Sequence, residues 1–349
     1  MEEKAGGSPE KKCKYFSELS ANKPFISNCV CNHLSEKMSF TLRSGLKIPS
    51  IGYGCWKVPK ASAAESVYTA LKLGYRHLDC ACDYGNEKEV GEGIARALSE
   101  KLVTREELWV TSKLWCTFHD PAHVKAACQR SLADLGLAYL DLYLIHFPIP
   151  LAYVDPSVRY PPEWIHDPAS PSPCMVPARV PLAATWGAML ALQDEGLVRA
   201  CGVCNFSCAL LRDLCNSSPR APEVLQVELH PYLQQPKLLR FCAGQGIHVT
   251  GFSPLGAGSY VELGGATPAD SALLHPAIAA IAQRTGATPA QVVLAWAVQS
   301  GRSAVPKSSS AQRMAENLAA ASLPPLSTED RAAIEQLDSG RRFNDPGVL

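Results

Sequence analysis

The chain has 349 residues, with 33 basic and 33 acidic side chains and so no formal net charge. With 47% apolar and 19% charged residues it is not a disordered chain, and the charge balance gives no support to nucleic-acid binding. No run approaches the roughly 18 uninterrupted apolar residues of a membrane span. Residues 1–37 mix Lys, Glu, Ser and Asn with little periodicity and read as a disordered N-terminal extension. They lack a signal-peptide apolar core, and Glu2, Glu3 and Glu10 without any Arg argue against a mitochondrial leader. The 14 cysteines therefore read as free thiols of a reducing compartment, and the expected location is cytoplasmic.

From residue 38 the pattern becomes compact and reads as one domain, 38–349. Apolar residues at 40–42 and 46–48 flank Arg43-Ser44-Gly45 and predict a short hairpin. A strand at 50–54 and a helix at 63–73 follow, the helix carrying Val67, Ala70 and Leu71 on one face. Strands are predicted at 77–81, 108–113 and 140–146, with helices at 88–98 and 121–135 between them. Residues 147–181 hold too many prolines for a helix, and so long a loop in a compact domain is usually functional. The alternation resumes with helices at 182–195, 207–215, 236–243 and 289–299 and strands at 198–203, 224–229, 247–252 and 303–305. Helices at 311–320 and 328–337 close the chain before a short tail.

Eight strands separated by helical crossovers predict an α/β fold of the (β/α)8 TIM-barrel type, with an N-terminal β-hairpin and long loops at the C-terminal face. An open doubly wound sheet binding a dinucleotide normally carries Gly-x-Gly-x-x-Gly after its first strand. That string is absent, as is the Gly-Lys-Ser/Thr ending of a phosphate loop.

In such a barrel the chemistry sits where strands run into loops. Each predicted strand delivers a polar or aromatic group to that rim, from Cys55-Trp56 at the first to Lys307-Ser308 at the eighth. Four of these groups make a chemical unit. Tyr84 is a poor acid at an unperturbed pKa of about 10. A neighbouring ammonium, Lys113, is expected to lower that pKa, with Asp79 holding the ammonium in place. His146 is placed to hydrogen-bond a carbonyl oxygen that Tyr84 protonates. Cys201 and Cys204 form a lone Cys-x-x-Cys without a second pair at matching spacing, so no metal site is expected. No His-x-His exists to support a metal-dependent barrel hydrolase.

The run Gly74-Tyr75-Arg76-His77-Leu78-Asp79-Cys80-Ala81, followed by Tyr84-Gly85-Asn86-Glu87, resembles the signature of the aldo-keto reductases. The strings LDLYLIHFP from Leu140, GVCNF from Gly202 and VPKS from Val305 resemble that family's later signatures in the right order. Within the family the strings around Asp83, His230-Pro231-Tyr232 and Arg342-Phe343-Asn344 resemble fungal xylose reductases, while Leu114-Trp115-Cys116-Thr117 is more like aldose reductase. The resemblance implies a reductase of aldehydes or aldose sugars, with Tyr84 as proton donor, Asp79 and Lys113 tuning it and His146 orienting the carbonyl. It implies a substrate pocket lined by Trp56, Asp83, Trp115, His146, Phe147 and Asn344.

The same resemblance implies NADPH as cofactor, with NADH left open. Phe252 would stack on the nicotinamide, Asn205 and Gln226 would hold its carboxamide, and Cys204 stands where the family usually has Ser. Ser253 and Leu255 would hold the pyrophosphate. Lys307, Ser308 and Arg313 would clamp a 2′-phosphate, since two cations and a hydroxyl suit an anion. Glu316 and Asn317 would contact adenine, and Glu262 matches a position that takes ribose hydroxyls when NADH binds. The expected partner is a small aldehyde or sugar, neither nucleic acid nor a membrane, and the protein is expected to be a monomer or homodimer. The alternative reading is a redox-sensing regulatory subunit of the same fold that binds NADP(H) with little turnover.

Overall fold

The computed structural model describes residues 39–345; the extension at 1–37 lies outside them. Strands β1 (Ser39–Thr41) and β2 (Lys47–Pro49) pair antiparallel. The chain reverses between them with the Leu42 amide donating to the Leu46 carbonyl at 2.8 Å. Eight parallel strands follow: β3 (Tyr53–Gly54), β4 (His77–Asp79), β5 (Trp109–Leu114), β6 (Leu140–Ile145), β7 (Val198–Cys204), β8 (Val224–Glu228), β9 (His248–Phe252) and β10 (Ser303–Val305). They pair in sequence order from β3 to β10. The first returns to the last through an Ile51–Ala304 bridge, with Gly52 N donating to Ala304 O at 2.8 Å and Ala304 N donating to Ser50 O at 2.9 Å. This is the closed barrel that the alternation predicts.

Helices α1 (Lys60–Leu73), α2 (Glu87–Ser99), α3 (Pro121–Leu135), α4 (Leu182–Asp194), α5 (Cys208–Ser217) and α6 (Pro236–Gln245) form the crossovers up to β9. Their ends follow from local chemistry. Asp120 caps α3 by accepting from Ala122 N at 2.9 Å, Pro121 takes the first position, and Gly136 ends the helix at φ 66°. Gly91 and Gly93 would be poor choices for an isolated helix. On α2 they permit close packing: a Cβ on Gly93 would lie 2.5 Å from the Ala64 carbonyl, and one on Gly91 2.6 Å from that of Asp134.

The β9–β10 crossover holds two helices, α7 (Pro276–Thr285) and α8 (Pro289–Gln299), where the sequence reading has only the second. The signal for α7 is short: Ile278, Ile281 and Ala282 are buried, Pro276 opens it and Gly286 ends it. Helices α9 (Ala311–Ala319) and α10 (Thr328–Glu335) complete the ring.

Two layers of core result. The larger lies between strands and helices. The smaller fills the barrel interior, where Leu42 and Ile48 of the hairpin meet Trp109, Leu142, Leu144, Ala200 and Val224. Trp109 and Val224 open their strands, so the hairpin plugs the N-terminal mouth and leaves the other mouth open. Among the described residues no helix is long and apolar enough to cross a membrane, and every cysteine is a free thiol.

Candidate active site

The period of two along a strand decides which side chains enter the barrel. On β5, Trp109 and Thr111 point inward and bond to each other at 3.2 Å, so Lys113 points inward too, one layer higher. On β4, Asp79 pairs in register with Thr111 of β5 and sits beside that lysine. Beyond β4 the chain makes a single 3-10 turn, Cys82–Tyr84, that Gly85 ends at φ 68°. That turn brings Tyr84 back over the barrel mouth. His146 follows β6 directly, its amide bound to the Leu114 carbonyl at 3.0 Å.

The four groups meet. Lys113 Nζ donates to both Asp79 oxygens, at 3.0 and 2.9 Å, to the Cys80 carbonyl at 2.8 Å and to Tyr84 Oη at 3.1 Å. The ammonium is 1% exposed, which only a paired cation tolerates. Gln226 Nε2 donates to Asp79 Oδ1 at 2.7 Å from across the barrel. The Tyr84 and His146 rings stand edge to face with centroids 5.9 Å apart.

Burial and charge set the protonation states. Burial alone would discharge Lys113, but Asp79, with Tyr84 and Cys204, outweighs it and holds the amine above its ordinary range, as an ammonium. Burial pushes the Tyr84 phenol up and Lys113 pulls it down; burial wins. The expected lowering of the Tyr84 pKa is therefore corrected: the ammonium acts in the expected direction, but the net shift is upward and the phenol keeps its proton. Burial and then Lys113 hold His146 well below its ordinary range, so the imidazole is neutral. Its Nδ1 is buried without a hydrogen-bond partner. Burial, with the Glu163 charge nearby, raises the Asp83 carboxyl to about 7.

These groups open into a cavity of about 600 Å³ at the C-terminal mouth. Every residue read as substrate-lining lines it: Trp56, Asp83, Trp115, His146, Phe147 and Asn344. So do Asn205, Gln226, Phe252, Ser253, Leu255 and Lys307 of the cofactor set, together with Cys204. Five of that set stand outside the cavity lining. Glu262 is exposed and pairs with Lys57 at 3.3 Å. Ser308 is buried and its Oγ accepts from Ser310 N at 3.1 Å. Arg313 is exposed in the first turn of α9, Glu316 accepts from Gln312 at 2.8 Å, and Asn317 is buried.

The residues present fit a nicotinamide nucleotide. Phe252 presents a half-buried flat ring beside two amide side chains. Asn205 donates to the His146 carbonyl at 2.9 Å, and Gln226 Oε1 faces the Cys204 thiol at 3.8 Å. Asn205 and Ser253 hold left-handed backbone, φ 63° and 47°, which non-glycine residues keep mainly at functional sites. Lys307 and Arg313 supply exposed cations near the start of α9. Cys201 and Cys204 face opposite sides of β7: one thiol meets the Met189 carbonyl at 3.2 Å, the other Gln226.

Several lining residues escaped the sequence reading. Trp164 comes from the Pro-rich segment and packs edge-on against Trp115 and Phe147, at 4.7 and 4.9 Å. Tyr260 and Phe343 stack at 5.8 Å, with Trp56 against Tyr260 at 5.6 Å. The available signal was an aromatic residue within a polar or Pro-rich stretch.

A sequence profile of the Aldo/keto reductase family matches residues 49–339. A probable NAD(P)H-dependent D-xylose reductase of Arthroderma otae is 47% identical over 307 residues, covering 87% of this chain and 92% of that protein. An NADPH-dependent D-xylose reductase of Meyerozyma guilliermondii is 46% identical over 88% of this chain and 97% of its own length. The NAD(P)H-dependent D-xylose reductase I,II of Candida tropicalis is also 46% identical, over 87% of this chain and 94% of its own.

Proposed function

The chain belongs to the aldo/keto reductase family, and from that premise we propose that it reduces the carbonyl of an aldehyde or aldose sugar with NADPH, NADH serving as well, and with Tyr84 as the proton donor. The observation that carries this reading is the Tyr84 hydroxyl 3.1 Å from an ammonium that is itself locked onto Asp79. When bound, the reduced nicotinamide supplies a hydride to the carbonyl carbon. Phe252, Asn205 and Gln226 would hold that ring, while Lys307, Ser308 and Arg313 would hold the 2′-phosphate.

The remaining chemistry belongs to the chain. His146, neutral, hydrogen-bonds the carbonyl oxygen and orients it. Negative charge builds on that oxygen, and Tyr84 gives it a proton, leaving a phenolate. Lys113 neutralises that phenolate, and Asp79 keeps Lys113 charged and in place. Positioned general acids of this kind contribute about 10²–10⁴-fold in rate. Trp56, Trp115 and Phe147 offer flat apolar walls, and Asp83 and Asn344 offer hydrogen bonds to hydroxyl groups, which suits a polyhydroxy aldehyde such as xylose.

Nothing in the site favours the regulatory alternative. One chain supplies every residue of this reading, so a monomer and a homodimer carry it equally. The cysteines among the described residues are free thiols, which suits a reducing compartment such as the cytoplasm. The test is NADPH oxidation by the purified protein with xylose, glyceraldehyde and a nitrobenzaldehyde. Tyr84→Phe should abolish turnover and leave NADPH binding intact; unchanged rates would exclude Tyr84 as the acid.

A further inference from the structure

Glu228 ends β8, two residues beyond Gln226 and on the same inward face, yet its side chain is 0% exposed and lies outside the chemistry described above. A buried carboxylate needs partners. Glu228 has three. Phe343 N donates to Oε1 at 2.8 Å, Asn344 N donates to Oε2 at 2.9 Å, and His230 Nε2 meets Oε1 at 2.9 Å. His230 is itself fully buried, and because a carboxylate can only accept, the Nε2 that faces it carries the proton of this bond. Two of the three donors are thus backbone amides of the C-terminal tail, which crosses the open mouth without regular secondary structure.

Upstream the tail is tied by Ser339 N and Arg341 N donating to the Tyr232 carbonyl and by Arg341 pairing with Asp270 at 2.7 Å. At the mouth Phe343 stacks on Tyr260, whose hydroxyl the Asn344 side chain also meets, within a small cluster apart from the main core. The next residue, Asn344, faces the cavity. Only a carboxylate suits the position. It accepts at both oxygens and donates at neither, whereas an amide would turn its NH2 toward one of these N–H groups.

We propose that Glu228 is a positioning residue for substrate recognition: by gripping the amides of Phe343 and Asn344, its carboxylate fixes where Asn344 meets the hydroxyl groups of an aldose. This rests on the aldose reading above. The Glu228 backbone pairs in register with Phe252 of β9, but its carboxylate bonds only His230 and the tail amides, so the effect of changing that carboxylate belongs in KM for hydroxylated substrates rather than in turnover.

The test is Glu228→Gln, with xylose and with 4-nitrobenzaldehyde, an aldehyde without hydroxyl groups. The KM for xylose should rise about tenfold, as expected for a displaced hydrogen bond to substrate. Turnover with nitrobenzaldehyde and the NADPH Kd, read by protein fluorescence, should stay close to wild type. In an Asn344→Ala background the same substitution should no longer change the KM for xylose, because the group it positions is gone. Should Glu228→Gln not fold, His230→Asn keeps the carboxylate, removes one of its donors, and should shift the same KM selectively by less. An unchanged KM for xylose, or equal damage to both substrates, overturns the proposal. Wild-type protein that reduces nitrobenzaldehyde but not xylose overturns the aldose reading, and this role with it, before any substitution is made.

Discussion

Removing the buried cation separates stability from chemistry. In Lys113→Met the side-chain volume is nearly kept, but Asp79 loses both contacts to the ammonium, at 2.9 and 3.0 Å, and retains only the Gln226 amide at 2.7 Å. The carboxylate is 3% exposed, so water cannot replace what is lost. Removing one partner of such a pair costs about 3–5 kcal/mol. The remaining Gln226 bond puts the expected loss near the lower end, about 3 kcal/mol. Lys113→Met with Asp79→Asn should recover more than half of that loss, because no stranded charge is left. Activity should behave differently. Lys113 is the main downward influence on a phenol that burial already raises, and it neutralises the phenolate that forms. Turnover should fall by about 10²–10⁴-fold in the single variant and stay there in the double. Urea unfolding followed by fluorescence, with single-turnover NADPH oxidation, reads both quantities. A single variant as stable as wild type, or turnover recovered in the double, would refute the argument.

Three further outcomes are expected. Glu87, buried and bound by the Ser112 and Ser131 hydroxyls at 2.5 and 2.8 Å, has its carboxyl raised by burial from 4.5 to about 7. The native state then binds more protons than the unfolded state between those values, so this group's contribution to stability is complete below pH 4.5 and is lost as pH rises to about 7, by roughly 3 kcal/mol. Denaturant midpoints of Glu87→Gln should lack that fall. For Asp83, raised to about 7 by burial and Glu163, kcat/KM for an aldose should rise as pH passes through that value and the carboxylate gains its full acceptor capacity; Asp83→Asn should flatten the profile. Arg313→Ala should weaken NADPH binding by about ten- to a hundredfold, the worth of a charge-assisted bond, with little change for NADH; equal loss of both would place Arg313 away from the 2′-phosphate.

Much of the site was legible because it depends on strand ends. Asp79, Lys113 and His146 each stand at or next to the C-terminal end of a strand, and alternation along the strand sends the first two inward whatever surrounds them. Tyr84 follows β4 by one short turn that its own Gly85 closes. Trp164 was not legible, since nothing local fixes where a Pro-rich segment of this length folds back. Glu228 was visible as a strand-end carboxylate, but two of its three partners lie 115 and 116 residues further along the chain. The Tyr84 pKa was misjudged for a related reason: a neighbouring charge can be inferred from a motif, whereas the desolvation opposing it depends on everything packed around the ring.

The amino-acid order alone settled the repeating strand–helix units, the barrel they imply and the strand ends that carry polar groups, because periodicity, turn residues and capping act over a few neighbours. Burial depth, protonation state, the aromatic wall brought in by the Pro-rich segment and the grip of Glu228 on the tail were decided only by the folded chain. Each depends on which distant groups exclude water from a given atom, and that is a property of three-dimensional packing.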